Sequence, residues 1–276
     1  MAESPLLDIN VYLCPHPDCG PFTKQIRPNF FYDEKTKKHY CSEGCYELAP
    51  KKKKLQTEDT GKIFEMAICM LFDTPYTAGE YKYSIEKAQA IKARMSKLKE
   101  LFPPCLHTAE NGSRYDFTAL NESNNYLSAK SIKKDDGKIA PQVIGQAKPK
   151  KFCEVLGISY TTNEDLKKYI QNNITDIFPY LMEYTFSCPM VLYHEERQTI
   201  RYIKLTTPID WKAYTYTWTN DFTVRQSASV KIIVKEKKIS LMEFQFHTKS
   251  RTNMANRWYI EDLINVFAEH FTIINI

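Results

Sequence analysis

A short hairpin pattern is the feature that most restricts how this chain can fold. Residues 114–120 and 126–130 are rich in β-branched, aromatic and apolar side chains, and a polar turn of Asn, Glu and Ser separates them. Such a pattern predicts two antiparallel strands. Side chains two residues apart on a strand share a face, so Ser128 and Lys130 point the same way, and the turn folds that face toward Asp116. A carboxylate, a hydroxyl and an ammonium are therefore expected to meet.

This predicted cluster has the chemistry of a phosphodiester-cleaving site. A carboxylate that holds Mg²⁺ acidifies water and withdraws charge from a phosphate, and a lysine orients the attacking water. We assign Asp116 to the metal and Lys130 to the water, with Ser128 bonded to a metal-bound water. Glu65, on a preceding helix, is a candidate for a further acidic oxygen, and Gln142 is expected to point into the site. The alternatives are a surface ion pair across the hairpin and a solvated Glu65.

The patterns along the chain change from helical to extended. Apolar residues at three- to four-residue spacing predict helices at 62–72, 85–102, 163–171, 175–184 and 261–270. Extended patterns predict strands at 139–144, 189–194, 199–205, 213–219, 229–235 and 239–247. This order predicts an α/β (α+β) fold, with a mixed sheet flanked by helices and a β-rich C-terminal region.

Two tight cysteine pairs near the N-terminus predict a zinc site. Cys14 and Cys19 form the first pair, and Cys41 and Cys45 form the second. Pairs of this kind, joined by a longer loop, present four thiolates to a tetrahedral structural Zn²⁺ in a small ribbon-like module. His16 or His39 could replace one cysteine, and four buried reduced thiols are the alternative.

Charge and apolar content limit the class of protein. The formal net charge of +5 favours an anionic partner only slightly. No apolar run approaches the length of a membrane span, and the first residues lack the pattern of a secretory signal. A protein of the cytoplasm that does not act on a membrane is therefore expected, and its cysteines are expected to be reduced.

The order of a helix with Glu65, a hairpin with Asp116 and then Ser128-Ala-Lys130 resembles the PD-(D/E)xK nuclease core. The sequel at 132–146 is similar to type II restriction endonucleases, above all the small monomeric enzymes that cut four-base sites. Ser128 departs from the pattern, which usually has an acid there. The resemblance implies a Mg²⁺-dependent double-stranded DNA endonuclease that leaves a 5′-phosphate. It also implies a monomer, and a cognate DNA methyltransferase in the same system.

The resemblance also implies a DNA-reading segment near the C-terminus. Arginine reads guanine, and asparagine or glutamine reads adenine. The base-reading candidates are Gln245, His247, Lys249, Arg251, Asn253, Asn256 and Arg257. Lys133 and Lys134 are expected to meet phosphates, which adds affinity without sequence information. The alternative for both groups is a solvated surface.

These patterns divide the chain into three predicted domains. Residues 1–55 form the zinc-binding module with a Lys-rich linker, 56–184 the catalytic domain and 185–276 the DNA-recognition region. Two rival functions remain at this stage. One is a non-catalytic, zinc-containing DNA-binding protein on a decayed nuclease fold, and the other is an adaptor for RNA or protein built around the zinc module.

Overall fold

The computed structural model describes residues 12–13, 21–22, 29–34, 38–48, 57–76, 84–109, 113–247 and 253–276. The chain divides into two units, residues 1–54 and 55–276. Helices and mixed sheets make the architecture α+β, as the order of sequence patterns predicts.

The described residues of the smaller unit form two short antiparallel ribbons and one helix. Strands β1 (Tyr12–Leu13) and β2 (Pro21–Phe22) pair, β3 (Phe31–Asp33) pairs with β4 (Lys38–Tyr40), and α1 (Glu43–Leu48) follows. Tyr40 is buried, and aromatic side chains of the ribbons pack against it.

The larger unit alternates helices and strands. Its helices are α2 (Thr57–Leu71), α3 (Ile85–Lys92), α4 (Leu98–Leu101), α5 (Pro149–Leu156), α6 (Asn163–Asn172), α7 (Ile174–Phe186) and α8 (Ile260–Val266). Its strands are β5 (Cys105–His107), β6 (Phe117–Ala119), β7 (Tyr126–Ile132), β8 (Lys138–Ile139), β9 (Gln146–Ala147), β10 (Met190–His194), β11 (Thr199–Leu205), β12 (Thr215–Trp218), β13 (Ser227–Val234), β14 (Lys237–Phe246), β15 (Met254–Tyr259) and β16 (Phe271–Asn275).

The described residues of this unit form two sheets, and the first carries the predicted hairpin. Its strand order is β16-β11-β10-β7-β6-β5, and β10 pairs parallel with β7 while the other neighbours pair antiparallel. The apolar face of α2 contains Phe64 and Ile68, which are fully buried in one core cluster with Leu127 and Val191 of the sheet. This packing fixes the helix against the centre of the sheet, beside β7.

The second sheet has the order β12-β13-β14-β15-β8, and β9 also pairs with β15. Its apolar face packs on α7, where Phe178 lies 5.4 Å from Trp258, centroid to centroid. Because β8 follows β7 after a turn of five residues, the second sheet begins close to the predicted site. None of the helices in the described ranges is long and apolar enough to cross a membrane.

Three predicted elements differ from the structure. The helix predicted at 261–270 ends at Val266 of α8. The predicted helix at 85–102 is broken into α3 and α4 by a turn that begins at Ala93. The predicted strand at 139–144 ends after Ile139, and residues 142–145 form a turn in which Val143 adopts a left-handed backbone with φ of 61°. Helix α5 and strands β5, β15 and β16 have no counterpart in the sequence-based prediction, whereas the hairpin and strands β10, β11, β13 and β14 are confirmed within a few residues.

Candidate active site

The hairpin brings Asp116, Ser128 and Lys130 together. The β6–β7 register pairs Phe117 with Leu127, and its continuation by one residue places Asp116 opposite Ser128. Three donors meet at Oδ2 of Asp116: the Ser128 hydroxyl at 2.9 Å, the Ala129 amide at 2.8 Å and the Lys130 ammonium at 3.0 Å. The predicted convergence of carboxylate, hydroxyl and ammonium is therefore present.

The surroundings of Asp116 keep its carboxylate ionised. Burial of the side chain acts to raise its pKa, but the charge of Lys130 and the three hydrogen bonds outweigh burial and hold the pKa below its ordinary value. The Asp116 side chain is still 17% exposed and that of Lys130 22%. A negative charge that solvent can reach is therefore held in a fixed place, which suits an oxygen ligand for a cation.

Ser128 is the centre of a hydrogen-bonded chain. It is fully buried, and its hydroxyl accepts a bond from Nε2 of Gln142 at 3.1 Å while it donates to Asp116. Gln142 lies in the turn between β8 and β9, where its backbone N–H donates a hydrogen bond to the Tyr184 carbonyl at 2.7 Å. The structure thus brings Gln142 to the site through Ser128, as a support for Asp116.

We expect Ser128→Ala to lower the free energy of unfolding by about 1–3 kcal/mol, because the buried Gln142 amide loses its acceptor. Urea denaturation measures this change. Ser131→Ala is the matched control on the same strand, since Ser131 is only half-buried, and its effect should stay within about 0.5 kcal/mol. Equal stability of Ser128→Ala and the wild-type chain would contradict this role.

Glu65 lies on the side of α2 that faces β7. Its Oε2 is 2.8 Å from Nζ of Lys62 and 3.1 Å from Nε2 of His107. Glu65 and Lys130 line the same cavity of about 250 Å³, together with Gly61, Lys62 and residues 138–140. The structure therefore places the carboxylate of Glu65 on the cavity that Lys130 also reaches.

The sequence-based reasoning missed His107. Its side chain is 1% exposed and contacts the ring of Tyr76, at 5.0 Å between centroids, and that of Phe117, at 5.3 Å. Nδ1 is buried with no hydrogen-bond partner, so Nε2 makes the polar contact of the ring, with Glu65. His107 thus fixes the Glu65 carboxylate. No spacing rule finds it, because it is a lone histidine on a three-residue strand.

A second cavity of about 540 Å³ adjoins the first. Both are lined by Ser131, Lys138 and Ala140, so they form one cleft that runs from Glu65 and Lys130 toward β15. The larger cavity is also lined by Lys133, Lys134, Asp136, Gln146 and Arg257. Both predicted phosphate-contacting lysines therefore lie on this cleft.

The base-reading candidates do not all lie on one surface. Gln245 and Arg257 are half-buried on neighbouring strands, and Nη2 of Arg257 donates to the Gln245 side chain at 2.9 Å. The His247 amide donates to the Asn253 carbonyl at 2.9 Å, which closes the β14–β15 hairpin. Lys249 and Arg251 lie outside the described residues.

Asn256 is placed differently from its predicted role. Its side chain is fully buried, and its Nδ2 donates to the Ile144 carbonyl at 2.9 Å. The amide of Asn256 donates to the Gly145 carbonyl, also at 2.9 Å. Asn256 therefore holds the turn that carries Gln142 and has no surface from which to reach a base, so it has no place in the interface proposed below.

The predicted zinc ligands fall partly within the described residues. The Sγ atoms of Cys41 and Cys45 are 3.2 Å apart, where β4 gives way to α1, while Cys14 and Cys19 lie outside those residues. Within the described ranges, no three side chains of the His, Cys, Asp and Glu types are grouped so that they could hold a metal ion. The sulfur atoms of Cys41 and Cys45 are therefore close enough to contact one metal ion.

Comparison with known proteins identifies one relative of this chain among the matches. The chain is similar to a restriction enzyme. That protein is the type II restriction enzyme CviAII of Paramecium bursaria Chlorella virus 1, and the two sequences are 40% identical over 220 residues, which cover 79% of this chain. The matched region spans 63% of the relative's length. No family model matches the chain, and no solved structure matches it.

Proposed function

We propose that this protein is a site-specific double-stranded DNA endonuclease of the type II restriction kind, built on a PD-(D/E)xK core. The observation that carries the proposal is the convergence of Asp116, Ser128 and Lys130 on one oxygen, at the end of a basic cleft. The similarity to a restriction enzyme over 79% of the chain supports the same function. Hydrolysis would leave a 5′-phosphate. In this proposal residues 56–184 form the catalytic domain and residues 185–276 the β-rich recognition region.

The donor atoms at this site fit Mg²⁺. Magnesium takes oxygen ligands and is commonly bound by one or two carboxylates, substrate phosphates and water. Asp116 is the first ligand in this proposal, through Oδ1, because the three donors occupy Oδ2. Glu65 is the second acidic oxygen. When bound, such an ion neutralises a phosphate oxygen and lowers the pKa of water.

The residues of the chain have separate tasks in the reaction. Lys130 orients the attacking water and screens the charge that develops on the phosphate, because its ammonium reaches both Asp116 and the cavity. Ser128 and Gln142 keep the Asp116 carboxylate in place. Lys62 and His107 do the same for Glu65. Ser128, which stands where related sites have an acid, therefore supports Asp116 and does not itself bind the metal.

In this proposal the DNA binds along the cleft. Lys133 and Lys134 line it and would meet phosphates, and Arg257, which also lines it and bonds Gln245, would read base edges together with Gln245. His247 and Asn253, which are joined by a backbone hydrogen bond, remain base-reading candidates in this proposal, as do Lys249 and Arg251. The proposal also includes that the protein acts as a monomer and that a cognate DNA methyltransferase belongs to the same system.

The function is tested by digestion of a DNA of known sequence with Mg²⁺ or Mn²⁺, followed by mapping of the fragment ends. Discrete fragments with 5′-phosphate ends are expected. Binding of duplex DNA without cleavage under any divalent ion would instead indicate the non-catalytic DNA-binding protein, and a preference for RNA over duplex DNA would indicate the adaptor.

A structural Zn²⁺ held by Cys14, Cys19, Cys41 and Cys45 belongs to the same proposal, and the close approach of the last two sulfurs supports it. We expect about one zinc ion per chain after purification, because tetrathiolate sites bind zinc tightly enough to fold small modules. Metal analysis checks this. Cys41→Ser should lose the ion, and the matched control Cys153→Ser, on α5, should retain it. A zinc-free wild-type chain would refute the site.

A further inference from the structure

Glu243 of β14 holds two cations of the cleft at once. Its Oε2 accepts a bond from Nη2 of Arg257 at 2.6 Å, and its Oε1 lies 3.2 Å from Nζ of Lys138. The Glu243 side chain is 16% exposed, whereas those of Lys138 and Arg257 are 25% and 32% exposed. The acid therefore lies behind the two cations, which themselves line the larger cavity.

The backbone enforces this arrangement. Glu243 is opposite Arg257 in the β14–β15 pairing, and Lys138 is opposite Tyr259 in the β15–β8 pairing. Lys138 also lies over the Tyr259 ring, 4.6 Å from its centroid, and Arg257 bonds the side chain of Gln245 at 2.9 Å. Each cation thus has a second partner that fixes its direction, so the bonds to Glu243 set position as well as charge.

The charge balance of this cluster bears on DNA binding. Lys138 and Arg257 carry two positive charges and Glu243 carries one negative charge, so the cluster offers an incoming phosphate a net charge of about +1. DNA of unrelated sequence is bound almost entirely through such charges. An acid at this place therefore weakens that mode of binding. A complex that also forms base contacts depends on the position of Arg257, which Glu243 fixes.

We propose that Glu243 is a specificity-determining residue, which weakens binding to unrelated DNA and orients Arg257 and Lys138 for the cognate sequence. This inference rests on the proposed endonuclease function. The conventional alternative is an ion-pair buttress that only stabilises the β14–β15 pair. The two differ in sign: a buttress alone predicts weaker DNA binding when the acid is removed, whereas a specificity-determining acid predicts tighter binding to unrelated DNA.

The test is Glu243→Gln, which keeps the size and a hydrogen-bond acceptor but removes the charge. Affinity for a short mixed-sequence DNA duplex is measured by fluorescence anisotropy across a range of salt concentrations, with Ca²⁺ in place of Mg²⁺ and without a chelator, so that the proposed zinc is retained. We expect the Kd at low salt to fall about 3- to 10-fold and the slope of log K against log salt to steepen by about one unit. Digestion of plasmid DNA should then yield extra fragments beside those of the wild-type chain.

Glu154→Gln is the matched control, because Glu154 on α5 also pairs with a lysine, Lys151 at 3.4 Å, away from the cleft. It should leave the salt slope and the fragments unchanged. The double variant Lys138→Gln/Glu243→Gln should return the slope to the wild-type value, and a thermal melt verifies folding of every variant. An unchanged salt slope, or weaker DNA binding by folded Glu243→Gln, would overturn this inference and leave the proposed function standing. A wild-type chain that neither binds nor cuts duplex DNA would overturn the proposed function with it.

Discussion

Replacement of Asp116 by Asn is expected to reduce the rate of DNA cleavage by a factor on the order of 10³ or more, because the site loses the ionised oxygen that holds the cation. Lys130→Ala is expected to reduce it by a factor on the order of 10² to 10³, through loss of water orientation and charge screening. Single-turnover cleavage of a plasmid with Mg²⁺ measures both effects. Asn keeps an acceptor for the Ala129 amide and the Ser128 hydroxyl, so the hairpin should still form.

The exposed pair on α5 supplies matched controls for both charges. Lys151→Ala and Glu154→Gln change a lysine and an acid that are each more than half exposed, and both variants should cut at the wild-type rate. Duplex binding in Ca²⁺ and thermal melting should show that Asp116→Asn and Lys130→Ala are folded. Cleavage at the wild-type rate by either of them would remove that residue from the proposed mechanism.

Gly145→Ala is the second change with a large expected effect, here on stability. A Cβ at this position would lie 2.6 Å from the Cβ of Ala140 and closer still to the Pro141 carbonyl oxygen, so the turn would have to open. Two bonds from Asn256 hold the same turn, to the carbonyls of Ile144 and Gly145. We expect the free energy of unfolding to fall by about 3 kcal/mol or more, as measured by urea denaturation.

Gly61→Ala is the comparison for this variant. A Cβ at Gly61 would meet the Ser131 hydroxyl at 3.6 Å, which is an ordinary contact, and alanine is the better helix former within α2. Stability should therefore be unchanged or slightly higher. If Gly145→Ala and Gly61→Ala have the same free energy of unfolding, then the 140–145 turn does not require a glycine.

Much of the candidate site could be predicted because its geometry is local. The two-residue period of β7 places Ser128 and Lys130 on one face, and the antiparallel hairpin returns that face to Asp116. The burial of Glu65 follows from its apolar neighbours at helical spacing on α2. These relations involve residues within one or two adjacent elements, so sequence periodicity is sufficient to find them.

The rest depends on contacts between distant parts of the chain. His107 reaches Glu65 across 42 residues of sequence, and Asn256 reaches Ile144 across 112. A polar side chain such as Asn256 reads as a surface residue until the buried turn that it holds is known. Glu243 could have been found, because it shares a strand face with Gln245, but its link to Lys138 required the order of the strands.

The parallel pairing of β7 with β10 bears on the order in which the candidate site is assembled. Leu192 is opposite Lys130 in this pairing, and the Ser128 amide donates to the Pro189 carbonyl at 2.9 Å. Parallel strands need a long crossover, here through α5, α6 and α7, so the strand that bears Lys130 acquires its neighbour late. During synthesis, the hairpin leaves the ribosome well before β10 does. A nascent chain therefore holds Asp116 and Lys130 on a hairpin that still lacks its β10 neighbour. If the protein is the proposed endonuclease, its site is complete only after α7 and β10 have been synthesised.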